Sequence, residues 1–178
     1  MTSTELTPRV AALGDMDSLT LYGLLRLRVD VFVVEQACRY AELDGRDSDP
    51  TTVHMWLEGD APDRPIAYLR VLDEPEGYAR IGRVAVARDA RGVGLAARLV
   101  EAALNRIDDR PCVLDAQSHL VGFYERFGFV ATGPEFVEDG IPHVPMRREP
   151  QDVAPVARRA PGQGSAARSS STGLRRPV

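Results

Sequence analysis

The sequence predicts an α/β protein, α+β by some schemes, built on one mixed, mostly antiparallel sheet with helices on both faces. Three observations carry that expectation. Segments of strand and helix character alternate in the order β-α-(loop)-β-β-β-α-β-α-β-β, which gives a sheet covered on both sides. The 178 residues are 44% hydrophobic, enough for one domain with a sizeable core. Short turns rich in Gly, Pro and Asp join neighbouring strands, as hairpin turns do.

Taken in order, RVAAL at 9–13 reads as a short first strand. Asp17 can cap a helix over about Ser18 to Val31, where Leu21, Leu24, Leu25 and Arg28 fall at helical spacing. VFVVEQ follows, and the polar CRYAELDGRDSDPTT must be loop or short irregular helix. VHMWLEG (53–59) and PIAYLRVLDE (65–74) form a hairpin, and YARIGRVAVA (78–87) is a third strand reached through EPEG. A helix then covers about Val93 to Arg106, and PCVLDAQ (111–117) has the apolar character of a buried strand. SHLVGFYERFGF starts on a Ser cap and ends at Gly128, a glycine just past a helix end. FVATGPEFVEDGIPHVPMRRE should make a last hairpin with its turn at Glu138–Gly140.

The net charge of −4 is unevenly spread, with +4 on residues 151–178 and −8 on residues 1–150. That balance predicts no specific nucleic-acid partner; an acidic body suits cationic partners, and solubility explains it equally well. Cys38 and Cys112 belong to no metal motif and read as reduced thiols of a cytoplasmic protein. No basic stretch followed by an apolar run opens the chain, and no apolar stretch is of membrane length. Neither a signal peptide nor a membrane partner is expected. Residues 150–178 are rich in Ala, Pro, Gly, Ser and Arg without apolar periodicity, and are expected to form a disordered tail on a domain of residues 1–149.

The chemistry concentrates in RVAVARDARGVGLAARLV (83–100), a strand that turns into a helix through two glycines. The first turn of a helix leaves backbone N–H groups without partners and carries partial positive charge. Gly92 and Gly94 allow a tight turn and clear the approach of a ligand, and Arg91 adds a fixed charge. A phosphate or pyrophosphate fits such a site; a tight turn with a solvated Arg is the plain alternative. Gly92 to Ala97 also satisfies the dinucleotide fingerprint G-x-G-x-x-G/A, with Asp115 beyond it. Against that reading, four residues separate strand from glycine, and three antiparallel-looking strands come first. The other reading takes Arg91, Gly94 and Ala96 as R-x-x-G-x-A.

With that pattern, RVAV, RDARGVGLA and DAQSHLVGFYERFGF resemble the GNAT superfamily of acetyl-CoA-dependent N-acetyltransferases. LLRLRVDVFVVEQACRYAELDGRD, TVHMW and EDGIPHVPM resemble its ElaA-like branch. The matches span about residues 10–148. The resemblance implies the GNAT acyl-CoA N-acyltransferase fold, with splayed central strands. It implies acetyl-CoA as co-substrate, no metal, an amine of a small molecule or peptide as acceptor, and a homodimer through the last strands. The pyrophosphate would lie on the backbone of Arg91, Gly92, Val93, Gly94, Leu95 and Ala96. Pantetheine would run beside Val84, Ala85 and Val86, with Gln117 and Phe123 contributing. A bulge would splay this strand from the next, and the N–H of Val86 would face the thioester oxygen. Tyr124 would protonate the leaving thiolate; packing of an apolar helix face is its structural alternative.

Direct attack on a thioester requires a neutral amine, a stabilised oxyanion and a protonated thiolate. Three residues are candidate bases: Glu35 after VFVV, expected beneath the loop on the acceptor side, His54 opening a strand, and His143 in DGIPH. A structural hydrogen-bonding role is the alternative for each. Glu42, Asp44, Asp47 and Asp49 fail the calcium-loop pattern. They read as an acidic acceptor mouth or as a solvated loop. Cys38 reads as packed. Two competing functions stay open at this point, a noncatalytic acyl-CoA-binding module and an NAD-type oxidoreductase.

Overall fold

The computed structural model describes residues 6–38 and 40–150, so residues 151–178 of the expected tail lie outside the described residues. Eight strands form one sheet: β1 (Arg9–Ala11), β2 (Val53–Glu58), β3 (Pro65–Asp73), β4 (Ala79–Val86), β5 (Cys112–Gln117), β6 (Val130–Ala131), β7 (Phe136–Glu138) and β8 (Ile141–Arg148). The strand order is β1-β2-β3-β4-β5-β8-β6, with β7 also on β8. Every pair is antiparallel except β4 with β5, which run parallel. The helices are α1 (Ser18–Arg28), α2 (Leu95–Ile107) and α3 (Val121–Glu125).

Strand alternation divides the core in two. Met55, Leu57, Ala67, Leu69 and Val71 face α2 and α3, where Leu99, Val100, Ala103 and Phe129 complete the larger cluster. Trp56 and Tyr68, one residue out of step, face Leu24, Leu27, Val31 and Phe32 on the other side. Helices therefore cover both faces, as the segment order requires.

On β4 that alternation changes phase. Ala79 and Ile81 face the α2 side, and beyond them Val84 and Val86 do, while Ala85 faces α1. The cause is a bulge: Arg70 pairs with Gly82 and Tyr68 with Ala85, so Arg83 and Val84 together oppose Leu69. Arg83 takes a φ of +54° to make this possible. The tight turn Asp139–Gly140, with φ of +50° and +81°, closes the hairpin of β7 and β8 where the sequence predicts it.

Three local expectations need correction. The first helix does not stop at Val31; α1 passes into a wider π-type turn over Val29–Glu35, which keeps both Val31 and Phe32 buried. Ser118 caps nothing, since a 3₁₀ turn at Ser118–Leu120 precedes α3 and its hydroxyl donates to Glu135 at 2.5 Å. The first strand ends at Ala11, followed by a 3₁₀ turn over Leu13–Asp15. Asp17 does cap α1, accepting from the N–H groups of Leu19 and Thr20 at 3.0 Å each.

Candidate active site

β4 and β5 share only two register pairs, Ala79 with Cys112 and Arg80 with Val113. Beyond Arg80 no pairing joins them. A cleft of about 590 Å³ opens there, walled by Val84 of β4, Gln117 of β5, Tyr124 of α3, His143 of β8, and Gln36 and Tyr40 from the segment after α1. The carboxyl ends of parallel strands are also where following helices present their N-termini. The backbone of β4 contributes directly. Ala87 donates its N–H to the carbonyl of Ile66 at 2.9 Å, so by strand alternation the N–H of Val86 points to the opposite, unpaired edge.

After β4 the chain makes a 3₁₀ turn over Arg88–Ala90 and enters α2 through Gly92 and Gly94, with φ of +84° and +82°. A Cβ on either glycine would touch nothing within 4 Å, so the space above the turn is clear. The glycines serve the backbone conformation and leave the first N–H groups of α2 approachable. Arg91 is exposed, but its guanidinium is paired. Its guanidinium makes a two-pronged contact with Glu35 at 2.7 and 2.9 Å and donates from Nε to the Val86 carbonyl at 3.1 Å. That contact holds the Glu35 carboxyl below its ordinary range. Glu35 thus pairs with the glycine turn that leads into α2, whereas the sequence suggested a place beneath the 38–52 loop. Its neighbour Gln36 accepts from Gln117 Nε2 at 3.0 Å, tying the end of the first helix to the end of β5.

Tyr124 is buried, with Phe123 edge-on to it at 4.9 Å between ring centres and Phe129 at 6.0 Å. Burial alone pushes its pKa up to about 12, which keeps the hydroxyl protonated at neutral pH. Of the three candidate bases, only His143 borders this cleft. Its Nδ1 donates to the Ile141 carbonyl at 2.8 Å, which in the neutral ring leaves Nε2 as an acceptor, and Phe136 stacks on the ring. His54 is fully buried elsewhere: Nε2 donates to the Asp47 carbonyl at 3.0 Å, and Tyr68 donates its hydroxyl to Nδ1 at 2.7 Å. Burial lowers its pKa and keeps it neutral. Both nitrogens are occupied, so the structural alternative holds for His54.

The acidic loop divides: Asp49 is exposed and Asp44 borders the cleft, whereas Glu42 and Asp47 are buried. Glu42, Asp44 and Asp47 alternate with Arg28, Arg83 and Arg70 in a closed ring. Arg28 meets Glu42 at 2.6 Å and Asp47 at 2.7 Å; Arg83 meets Glu42 at 2.8 Å and Asp44 at 3.5 Å; Arg70 meets Asp47 at 2.9 Å and closes on Asp44. Hydrogen bonds from Arg70 hold the Asp44 pKa down at about 2. Burial pulls Asp47 upward, but Arg28 and Arg70 outweigh it and leave its pKa lowered. Sequence reasoning missed the ring, although an Arg in the Leu21–Leu24 stripe and another inside the apolar run PIAYLRVLD were its signal. Cys38 is packed, its thiol pushed up by burial.

A family model described as an acetyltransferase (GNAT) domain matches residues 28–150. A UPF0039 protein of Mycobacterium bovis is 52% identical over 149 residues, covering 82% of this chain and 94% of its own. Among solved structures, an acyl-CoA N-acyltransferase from Pseudomonas aeruginosa matches with a TM-score of 0.75 and 44% identity, over 80% of this chain and 99% of that one. Escherichia coli ElaA matches with a TM-score of 0.74 and 35% identity, over the same 80% and 99%.

Proposed function

This chain belongs to the GNAT acetyltransferase family, in its ElaA-like branch, and from that premise we propose that it transfers an acetyl group from acetyl-CoA to an amine by direct attack in a ternary complex. The observation that carries this reading is the unpaired edge of β4, flanked by the clear N-terminus of α2 on one side and by Tyr124 on the other. Pyrophosphate would settle on the turn from Arg91 to Ala96, and pantetheine along Val84–Val86 toward Gln117 and Phe123. The Val86 N–H would stabilise the oxyanion, and Tyr124 would supply the proton to the thiolate.

His143 is the base in this reading, because it alone of the three candidates borders the cleft. Glu138 and Asp139 border the same cleft, and their charge suits an incoming ammonium group. Two free, buried thiols accord with a reducing, cytoplasmic setting. The test is release of free thiol from acetyl-CoA by the native protein against a panel of amines, polyamines and peptide N-termini. Turnover with any of them upholds the reading. Acetyl-CoA binding with no turnover would assign a noncatalytic module instead, and absence of binding would sink both.

The Glu35–Arg91 pair makes a separate prediction. Glu35 occupies the guanidinium that an incoming phosphate needs, and both side chains are more than a third exposed. Exposed pairs are worth up to about 1 kcal/mol, so Glu35→Gln should tighten CoA binding by roughly twofold to fivefold. Titration calorimetry at fixed salt reads the change; weaker binding would mean that Glu35 serves the ligand rather than competing with it.

A further inference from the structure

The bulge in β4 depends on one residue in an unfavourable conformation. Arg83 carries a φ of +54°, a region that non-glycine residues visit rarely and at a cost. Such a conformation persists only where the surroundings over-determine it. Around Arg83 they do. Its Nε lies 2.8 Å from Glu42, its Nη2 lies 3.5 Å from Asp44, and its guanidinium lies 4.7 Å from the centre of the Tyr40 ring. Glu42 is in turn anchored by Arg28 of α1 and Asp44 by Arg70 of β3, and both arginines are almost wholly buried. The ring therefore grips the bulge from the helix, the loop and the adjacent strand at once.

We propose that Arg83 is the positioning residue of the acyl slot: the ring's hold on its guanidinium keeps its backbone in the left-handed region, and so maintains the bulge that turns the Val86 N–H to the unpaired edge. Without the bulge, the alternation set by Ala79 and Ile81 would continue unbroken. Val84 and Val86 would then exchange faces with Ala85, and the slot would lose its donor. The consequence for the slot rests on the acyltransferase reading; the consequence for the backbone does not.

A pair of substitutions separates the guanidinium from the backbone. Arg83→Ala removes the grip and keeps the strain, whereas Arg83→Gly removes the grip and the strain together. Both delete the same charge from the ring, so their difference reports the backbone. Arg83→Ala should change the amide-exchange rates of Val84 to Val86 and weaken acetyl-CoA binding tenfold or more. Arg83→Gly should keep the native exchange pattern and bind within threefold of the native protein. If Arg83→Ala fails to fold, Arg83→Gln compared with Arg83→Asn poses the same question, because Asn alone of the two favours positive φ. Indistinguishable exchange in the two variants would overturn the proposal. So would a difference in exchange with no difference in acetyl-CoA affinity. Failure of the native protein to bind acetyl-CoA would sink the acyltransferase reading instead, and the exchange arm would still decide the bulge.

Discussion

Tyr124→Phe is expected to lower kcat by about 10²–10⁴ while leaving the affinity for acetyl-CoA within threefold of native. The residue combines three properties that suit a proton donor. Its ring is clamped by Phe123 and Phe129, so the change to Phe removes an oxygen without opening a cavity. The residue borders the cleft between the splayed strands. Its pKa of about 12 keeps the proton in place at any ordinary assay pH. A thiolate has a reference pKa of about 8.5, so such a phenol does not surrender its proton in the resting enzyme. As the C–S bond breaks it would donate a strong hydrogen bond and then its proton to the sulfur, while the attacking amine passes its own proton to His143 and the phenol regains one from solvent. Loss of that donor should leave substrate binding intact and raise the barrier, which is the signature of an interaction made in the transition state. An unchanged kcat, measured by thiol release under saturating acetyl-CoA, would return Tyr124 to a packing role.

The parts of the molecule that follow local rules were legible in the sequence. Strand alternation, the Asp17 cap, the Asp139–Gly140 turn and the two glycines before α2 each obey a constraint carried by a few adjacent residues. The open space above that glycine turn was legible for the same reason: positive φ and a clear approach are demands on the glycines themselves. What escaped was long-range electrostatics. Glu35 could be placed near the end of a helix, but its pairing with Arg91 spans 56 positions and depends on how α1 crosses the sheet. The acidic loop looked solvated because its partners, Arg28, Arg70 and Arg83, come from three separate elements. The bulge itself was expected only through the resemblance, since Arg83, where glycine would be the usual signal, gives no local hint of a positive φ.

The second large effect expected is on stability. Arg28→Met should destabilise the fold by about 3–5 kcal/mol, because it strips one partner from two buried carboxylates at once. On a domain of this size that corresponds to a fall in Tm of roughly 10 °C or more. Arg110→Met supplies the contrast: its pair with Asp73, at 2.8 Å, is about 40% exposed on both sides, and its loss should cost no more than about 1 kcal/mol. Acid should act in the same direction on the native protein. Asp44 and Asp47 have lowered pKa values in the fold, so they contribute stability above their unfolded values near 3.8, and that stability is lost as pH falls through their folded values, about 2 for Asp44. His54, lowered by burial, adds an earlier loss once pH drops below its unfolded value of 6.5, because the unfolded chain takes up the proton first. The Arg28→Met penalty should therefore be greatest near neutrality and shrink below about pH 4, where protonation relieves the orphaned carboxylates. Thermal melts of both variants from pH 7 to pH 3 measure this. A penalty for Arg28→Met that equals that of Arg110→Met, or that does not change with pH, would mean the ring is not holding opposed buried charges.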